Sequence, residues 1–247
     1  MNVENYLKLK LERDELQQKF RNLCPSCIQP GFSCYCHHIQ KFNPGIEFVI
    51  LIHPIEVRRR IATGRMSYLT LEGSHLIDGQ DYTHNNKVNE IIQDPEKQCF
   101  ILFPHRQAGN LSAMSATEKS VLIDSSKKTV LFVIDGTWAT AKKMLHQSKN
   151  LHQLPKICFS PKAPSTFRVR KQPTEGCLST IEAIHQVIEL LGEQCGFKTE
   201  TQEHDKLLFV FDKMVERQLH FIEQSRLNPK SYYYTRKRSR QREPESS

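Results

Sequence analysis

The hydrophobic positions of this chain form short continuous runs, separated by stretches with helical spacing. The runs lie at 46–53, 99–104, 130–135 and 156–160, and they are rich in Val, Ile and Phe. Continuous apolar runs of this length are typical of strands buried on both faces of a sheet. The helix-like stretches lie at 63–73, 86–93, 137–148 and 179–192. Strands that alternate with helices predict an α/β fold with a mainly parallel sheet and flanking helices.

Two amphipathic segments flank this pattern. Residues 3–22 mix spaced apolar side chains with many charges, which predicts an exposed N-terminal helix. Residues 204–226 predict a long helix that packs against the domain, and its apolar face consists of Leu207, Leu208, Phe211, Met214, Val215 and Ile222. We therefore expect an N-terminal helix with a cysteine knuckle (1–42), a main α/β domain (43–226) and a basic tail without fixed structure (227–247).

The charge of the chain is unevenly distributed. The formal net charge is +8, and residues 226–247 contribute +5 of it. A basic tail on a nearly balanced body predicts a polyanionic partner, most commonly RNA, although a solvated tail is the alternative. No stretch reaches the roughly 18 uncharged apolar residues that span a membrane, and the first residues carry no secretory pattern. We expect a cytoplasmic protein that does not bind membranes.

Four of the eight cysteines crowd into the pattern C-P-S-C-x6-C-Y-C; they are Cys24, Cys27, Cys34 and Cys36. Two close pairs separated by a short loop bring four thiolates onto one tetrahedral ion, with Zn–S distances of about 2.3 Å. The tight C-x-C pair leaves open that His37 or His38 replaces one sulfur, and unpaired thiols are the alternative to a metal. We predict a structural zinc site, because four protein ligands leave no position for a substrate.

A short polar turn follows the predicted strand at 130–134. It consists of Asp135, Gly136, Thr137 and Trp138, and a helix-like stretch begins directly after it. Ligands of open α/β sheets bind beyond the carboxyl ends of strands, and a glycine there lets a ligand approach the backbone. Two interpretations stay open on the residues alone. Asp135 takes part in chemistry as an acid or base, or the turn only caps the helix while Trp138 belongs to the core.

Three further segments carry groups that bind anions. The sequence S-T-I-E at 179–182 fits a capping box, and the same helix start also attracts a carboxylate. Arg168 and Arg170 fall on one face of an extended segment. They bind phosphate or carboxylate bidentately, or they are ordinary surface charges. Basic residues also cluster at 58–65, in the loop after the first predicted strand.

Taken in order, these motifs resemble the DTW-domain family of tRNA-uridine aminocarboxypropyltransferases. The string D-G-T-W-A-T-A-K-K-M at 135–144 is similar to the family signature, and the cysteine cluster precedes it as in the family. H-P-I-E-V-R-R-R-I-A-T-G-R at 53–65, F-R-V-R-K-Q-P at 167–173 and C-L-S-T-I-E-A at 177–183 are similar to three further family segments. The resemblance spans residues 20–220. It departs at Ala62, where the family has Asn, so no role is carried over to this position.

The resemblance implies a SPOUT-like, knotted domain with S-adenosyl-L-methionine as group donor and tRNA as substrate. The loops after residues 102, 134 and 177 are then expected to surround the donor. The residues implied for the donor site are Phe103, Pro104, Asp135, Gly136, Thr137, Trp138, Leu178, Ser179, Thr180, Glu182 and Ala183. Those implied for RNA binding are Arg58, Thr63, Gly64, Arg65, Arg168 and Arg170. No motif indicates an obligate protein partner.

The family reaction transfers the 3-amino-3-carboxypropyl group of the donor to N3 of a uridine and releases methylthioadenosine. Because N3–H is a weak acid, we expect a base to remove its proton. Asp135 is the candidate, since a carboxylate partly sheltered beside Trp138 is a stronger base than one in water. Two alternatives stay open: an RNA methyltransferase with the same donor, and a non-catalytic, zinc-bearing RNA-binding protein.

Overall fold

A computed structural model of the chain describes residues 22–57, 59, 61–169 and 176–227. Within these ranges the strands are β1 (Glu47–Ile52), β2 (His75–Asp78), β3 (Lys97–Leu102), β4 (Gly109–Asn110), β5 (Lys128–Asp135) and β6 (Lys156–Cys158). The α-helices are α1 (Pro54–Val57), α2 (Thr63–Thr70), α3 (Asn86–Gln93), α4 (Ala116–Leu122), α5 (Trp138–Gln147), α6 (Thr180–Leu191) and α7 (Asp205–Leu227).

The six strands form one sheet in which every neighbouring pair is parallel. The strand order is β2-β1-β5-β3-β6-β4. The central strands β1 and β5 are buried over almost their whole length, as their continuous apolar sequences predict. Their side chains alternate between two buried clusters: Phe48 and Ile50 belong to one, and Val49 and Leu51 to the other. The predicted α/β fold with a parallel sheet is confirmed.

Helices cover both faces of the sheet. On one face, α2, α6 and α7 contribute side chains such as Met66, Ile184 and Phe211 to the buried cluster. On the other face, α3 and α5 contribute Val88 and Met144. These five helices correspond to the predicted helical stretches, and α7 is the predicted long helix. The hydrophobic spacing therefore identified the elements that build the core.

Four short elements have no counterpart in the sequence prediction: α1, α4, β2 and β4. The edge strand β2 is only partly buried, β4 has two residues, and no residue of α4 is buried. None of these segments has the apolar periodicity on which the prediction depends. The helix predicted at 63–73 ends at Thr70, because Leu71 is extended and forms a β-bridge with Phe42.

The cysteine knuckle packs against the long C-terminal helix. Cys27 and Tyr35 of the knuckle belong to the same buried cluster as Phe211 and Met214 of α7. The knuckle therefore shares the main hydrophobic core. The helix predicted at 3–22 and the basic tail lie outside the described residues except at their inner ends, and the knot and the domain boundaries stay predictions. In the described part of the chain, no helix has the length and apolar character needed to cross a membrane.

Candidate active site and zinc site

The sulfur atoms of the four knuckle cysteines surround one point. Cys24 Sγ lies 3.7 Å from Cys36 Sγ, Cys27 Sγ lies 3.6 Å from Cys34 Sγ, and all four lie within 4.8 Å of one another. A tetrahedron with Zn–S bonds of about 2.3 Å has S–S edges of about 3.8 Å. The cysteines are free thiols. Their arrangement fits a zinc ion without help from a histidine.

Backbone hydrogen bonds fold the knuckle around these sulfur atoms. The Cys24 N–H donates to Gln29 O at 2.8 Å, and the Ile28 N–H donates to Cys24 O at 2.9 Å. Ile28 has a φ of 57°, the left-handed conformation that this tight turn requires. Hydrogen bonds, above all the one from the backbone of Cys27, lower the pKa of the Cys24 thiol to about 6. Burial raises the pKa of the Cys27 and Cys36 thiols. The thiolate, which is the form that binds a metal, is therefore favoured at Cys24.

The motifs of the predicted donor site meet at the carboxyl edge of the sheet. Ile52 at the end of β1 lies in register with Asp135 at the end of β5, and the His53 N–H donates to Asp135 O at 3.0 Å. Beyond the end of β3, the Phe103 N–H donates to Ile157 O at 3.0 Å. The first residue of α6, Thr180, contacts Asp135. The loops after residues 102, 134 and 177 therefore come together at this edge.

Asp135 is buried at this edge, with 6% of its surface exposed. Its Oδ1 accepts a hydrogen bond from Thr180 Oγ1 at 2.5 Å. Gly64 of α2 packs against the same carboxylate, because a Cβ on this glycine would lie 2.4 Å from Asp135 Oδ2. Thr180 itself is half-buried. The hydroxyl of Thr180 thus links the buried carboxylate to a side chain that is partly accessible.

The D-G-T-W turn forms the start of α5. Thr137 is the N-cap residue, since its Oγ1 accepts a hydrogen bond from the Thr140 N–H at 3.2 Å. A Cβ on Gly136 would lie 2.6 Å from Thr140 Oγ1. A side chain here would displace the Thr140 hydroxyl, so the glycine suits the packing inside the turn. The approach of a ligand to Gly136 stays a prediction.

Trp138 is a surface residue of this site. It is 40% exposed, so the alternative that it belongs to the core is wrong. Its Nε1 donates a hydrogen bond to Cys177 Sγ at 3.0 Å, and its ring makes an edge contact with Phe103 at a centroid distance of 6.2 Å. Leu178 is half-buried and Pro104 is exposed. Apolar surface from three loops is thus available to a ligand at this edge.

Glu182 fixes the start of α6. Its carboxylate accepts hydrogen bonds from the Ser179 N–H at 2.8 Å and from Ser179 Oγ at 2.6 Å, as the capping-box pattern predicts. It also accepts hydrogen bonds from Ser165 Oγ and from the Thr166 N–H, both at 2.7 Å. Both carboxylate oxygens are therefore occupied within the protein. Glu182 holds the loop at 165–166 against α6, and Ala183 lies half-buried in the same helical turn.

Among the described residues, those predicted for RNA binding differ in exposure. Thr63 and Gly64 are buried, and Gly64 packs against Asp135. Arg65 is half-buried and donates to Val57 O at 3.2 Å. Arg168 is exposed. The two remaining predicted residues, Arg58 and Arg170, lie outside the described residues.

Two buried polar residues near this edge received no role in the sequence prediction. His53 is 6% exposed, and its Nδ1 accepts a hydrogen bond from the Ile55 N–H at 3.2 Å. Glu56 is 5% exposed and forms an ion pair with Arg59 at 2.8 Å. The i,i+3 spacing of Glu56 and Arg59 is the signal that identifies this pair, because a turn beyond α1 brings the two residues together, with the Arg59 N–H donating to Glu56 O at 2.9 Å.

An open groove of about 370 Å³ lies between the knuckle and α7. Its basic side chains are His37, His38, Lys213, Arg217 and His220. Glu216 also lines it and pairs with Lys213 at 3.0 Å. The sequence did not predict this groove, because its two walls are far apart in the chain and meet only in the fold.

Comparison with known proteins agrees with the order of the motifs. The family model for the DTW domain matches residues 21–219. A Drosophila melanogaster protein named tRNA-uridine aminocarboxypropyltransferase 2 is 32% identical over 178 residues, which cover 69% of this chain and 67% of the relative. A Mus musculus protein of the same name is 25% identical, with 68% of this chain and 56% of the relative covered. An Arabidopsis thaliana protein named tRNA-uridine aminocarboxypropyltransferase A is 23% identical, with 85% of this chain and 86% of the relative covered. No solved structure matches the chain.

The matched region contains the cysteine knuckle, the whole sheet, the D-G-T-W turn and most of α7. It therefore includes both the four-cysteine cluster and the edge at which Asp135, Trp138 and Thr180 meet. This chain belongs to the DTW-domain family.

Proposed function

We propose that this chain is a tRNA-uridine aminocarboxypropyltransferase that transfers the 3-amino-3-carboxypropyl group of S-adenosyl-L-methionine to N3 of a uridine in tRNA. One observation carries the proposal. Asp135, Thr180 and the exposed Trp138 meet at the carboxyl edge of a parallel sheet, in a DTW-domain chain whose relatives are named for this activity. Ligands of open α/β sheets bind at this edge.

The donor would lie between the loops after β3 and β5 and the start of α6. Phe103, Trp138 and Leu178 leave apolar surface there, which suits an adenosine. The N–H groups in the first turn of α6 suit the carboxylate of the donor, because a helix N-terminus attracts anions. When bound, the donor supplies an activated carbon next to its sulfonium. The residues of this edge then orient that carbon toward the uridine.

We assign removal of the N3 proton to Asp135, acting through Thr180. The carboxylate has little accessible surface of its own, whereas Thr180 is half-buried and donates to it. The N3–C bond forms as the C–S bond breaks, and the electron pair of that bond goes to sulfur, which leaves in methylthioadenosine. The N3 proton passes to Thr180 Oγ while the Thr180 proton passes to Asp135. A base of this kind contributes a factor of about 10²–10⁴ to the rate.

The groove between the knuckle and α7 is our candidate surface for the tRNA backbone. Lys213, Arg217 and three histidines line it, and phosphate groups bind such basic side chains. A zinc ion on the four cysteines would hold the wall that carries His37 and His38. The substrate uridine must leave any base stack to reach the sheet edge, and Trp138 offers an aromatic face for it or for the donor. A tRNA substrate also agrees with the cytoplasmic location expected from the sequence.

Two preparations of labelled donor test the proposed reaction. One carries the isotope in the carboxyl group of the methionine moiety, and the other carries it in the methyl group. We expect the carboxyl label to appear in tRNA and the methyl label to remain in methylthioadenosine. Methyl label in tRNA would instead establish a methyltransferase, which is the alternative that uses the same donor. No label in tRNA with either preparation would favour a non-catalytic RNA-binding protein.

A further inference from the structure

A second cluster of metal-binding side chains lies where α6 meets the start of α7. His185 belongs to α6, His204 directly precedes α7, and Asp205 is the first residue of α7. One ligand atom from each residue lies within 4.8 Å of the other two. The cluster shares no residue with the cysteine knuckle or with the proposed donor site.

The His204 side chain is the least satisfied member of this cluster. It is 4% exposed, and its Nδ1 has no hydrogen-bond partner among the described residues. Its Nε2 lies 3.8 Å from Asp205 Oδ1 and 4.0 Å from Glu189 Oε1, which is too long for a hydrogen bond. Buried polar groups are nearly always paired, so this imidazole is unusual. Nε2 is the ring nitrogen that faces both carboxylates, and an ion shared with them would bind there.

A hydrogen-bonded pair at the start of α7 explains only part of the cluster. His185 Nε2 lies 2.7 Å from Asp205 Oδ1, which is a good hydrogen bond. The centroid of the His204 ring lies 4.6 Å from that of the His185 ring, and the two ring planes differ by 32°. His204 takes no part in the hydrogen bond between His185 and Asp205.

We propose that His185, His204 and Asp205 bind a divalent transition-metal ion, with zinc as the first candidate. Two imidazoles and a carboxylate are ligands that zinc accepts, at distances of about 2.0–2.2 Å. Glu189 lies one turn after His185 on α6, and its Oε1, 4.0 Å from His204 Nε2, is our candidate for a fourth ligand. Its other carboxylate oxygen pairs with Lys162 at 3.2 Å. The ion would join α6 to α7. Because Thr180 begins α6, the same ion would help to hold the helix that presents this hydroxyl to Asp135.

The zinc content of the full-length protein tests this proposal independently of the proposed function. We expect two zinc ions per chain by elemental mass spectrometry after equilibration with zinc and dialysis. The variant His185→Gln/His204→Gln is expected to hold one, and Cys24→Ser/Cys27→Ser is expected to lose the other. The matched control His146→Gln/His152→Gln removes a second pair of neighbouring imidazoles, with centroids 6.5 Å apart, that belongs to no metal-binding group among the described residues. It should keep both ions.

The same zinc content in His185→Gln/His204→Gln as in the parent protein, whether the parent holds one ion or two, would overturn the proposal. Because both histidines are buried, a variant that retains the fold is also needed. Asp205→Asn is suitable, since the Asp205 side chain is 52% exposed. Competition with a coloured chelator should show zinc affinity at one site reduced by at least about tenfold, because an amide is a much poorer ligand than a carboxylate. Unchanged affinity at both sites would equally refute the site.

Discussion

At the scale of single residues, the site depends on the contact between Gly64 and Asp135. The glycine lets α2 lie directly against the carboxylate. The family resemblance implies that Thr63, Gly64 and Arg65 bind RNA, and this role stays a prediction. The burial of Thr63 and Gly64 depends on what packs against them, and the local sequence pattern does not encode that. Ala62 begins the same helix without a side-chain cap, and the family's Asn would be a favourable N-cap at this position.

The variant Gly64→Ala is expected to destabilise the protein and to reduce transfer activity. The new methyl group would lie 2.4 Å from Asp135 Oδ2, so α2 or the carboxylate must move. We expect a loss of about 1–3 kcal/mol in the free energy of unfolding, measured by urea denaturation. Gly31→Ala is the matched control, because nothing lies within 4 Å of its new methyl group. Equal stability of the two variants would show that the contact is unimportant.

Thr180 allows a sharp test of the proton-transfer assignment. Thr180→Val removes the hydroxyl that donates to Asp135 but keeps the shape of the side chain. We expect its single-turnover transfer rate to fall by about 10²–10⁴-fold, with tRNA binding retained. Thr180→Ser restores the hydroxyl and should recover most of the rate. If Thr180→Val transfers at the parental rate, the proton does not pass through this residue.

At the scale of elements, the start of α6 is held by one carboxylate. Glu182→Gln replaces one of two acceptor oxygens with an NH₂ group that faces the donors on Ser179 or Thr166. We expect the free energy of unfolding to fall by about 1–3 kcal/mol and donor affinity to weaken, measured by denaturation and calorimetry. Glu90→Gln changes an exposed glutamate on α3 and should have no effect on either. Parental stability in Glu182→Gln would mean that these hydrogen bonds contribute little.

The elements also show what the sequence could predict. β1 and β5 were identified because strands buried on both faces need continuous apolar residues, and this requirement is visible in the sequence. The sequence did not predict β2, because an edge strand is held by hydrogen bonds to one neighbour, here β1, and need not be buried on both faces. Its four residues therefore do not form a continuous apolar run. Asp135 and Trp138 were placed correctly at the sheet edge, since parallel strands end together. The burial of Asp135 behind Thr180 and Gly64 depends on helix packing, which spacing does not show.

At the scale of the whole molecule, the knuckle and α7 join segments from opposite ends of the chain into one basic groove. We expect Lys213→Gln/Arg217→Gln to weaken tRNA binding at low salt. The slope of log affinity against log salt should become shallower by about one for each phosphate that the variant no longer neutralises. Lys87→Gln and Lys127→Gln, combined, remove the same charge from exposed positions outside the groove and serve as the control. Equal weakening in both double variants would mean that only net charge matters.

The most direct test of the whole account is the mass of the product nucleoside. Unmodified tRNA is incubated with the full-length protein and S-adenosyl-L-methionine, digested to nucleosides and analysed by mass spectrometry. Our account predicts a uridine that has gained a 3-amino-3-carboxypropyl group on N3, with an equal amount of methylthioadenosine. Uridine that remains unmodified, or that gains only a methyl group, would contradict it.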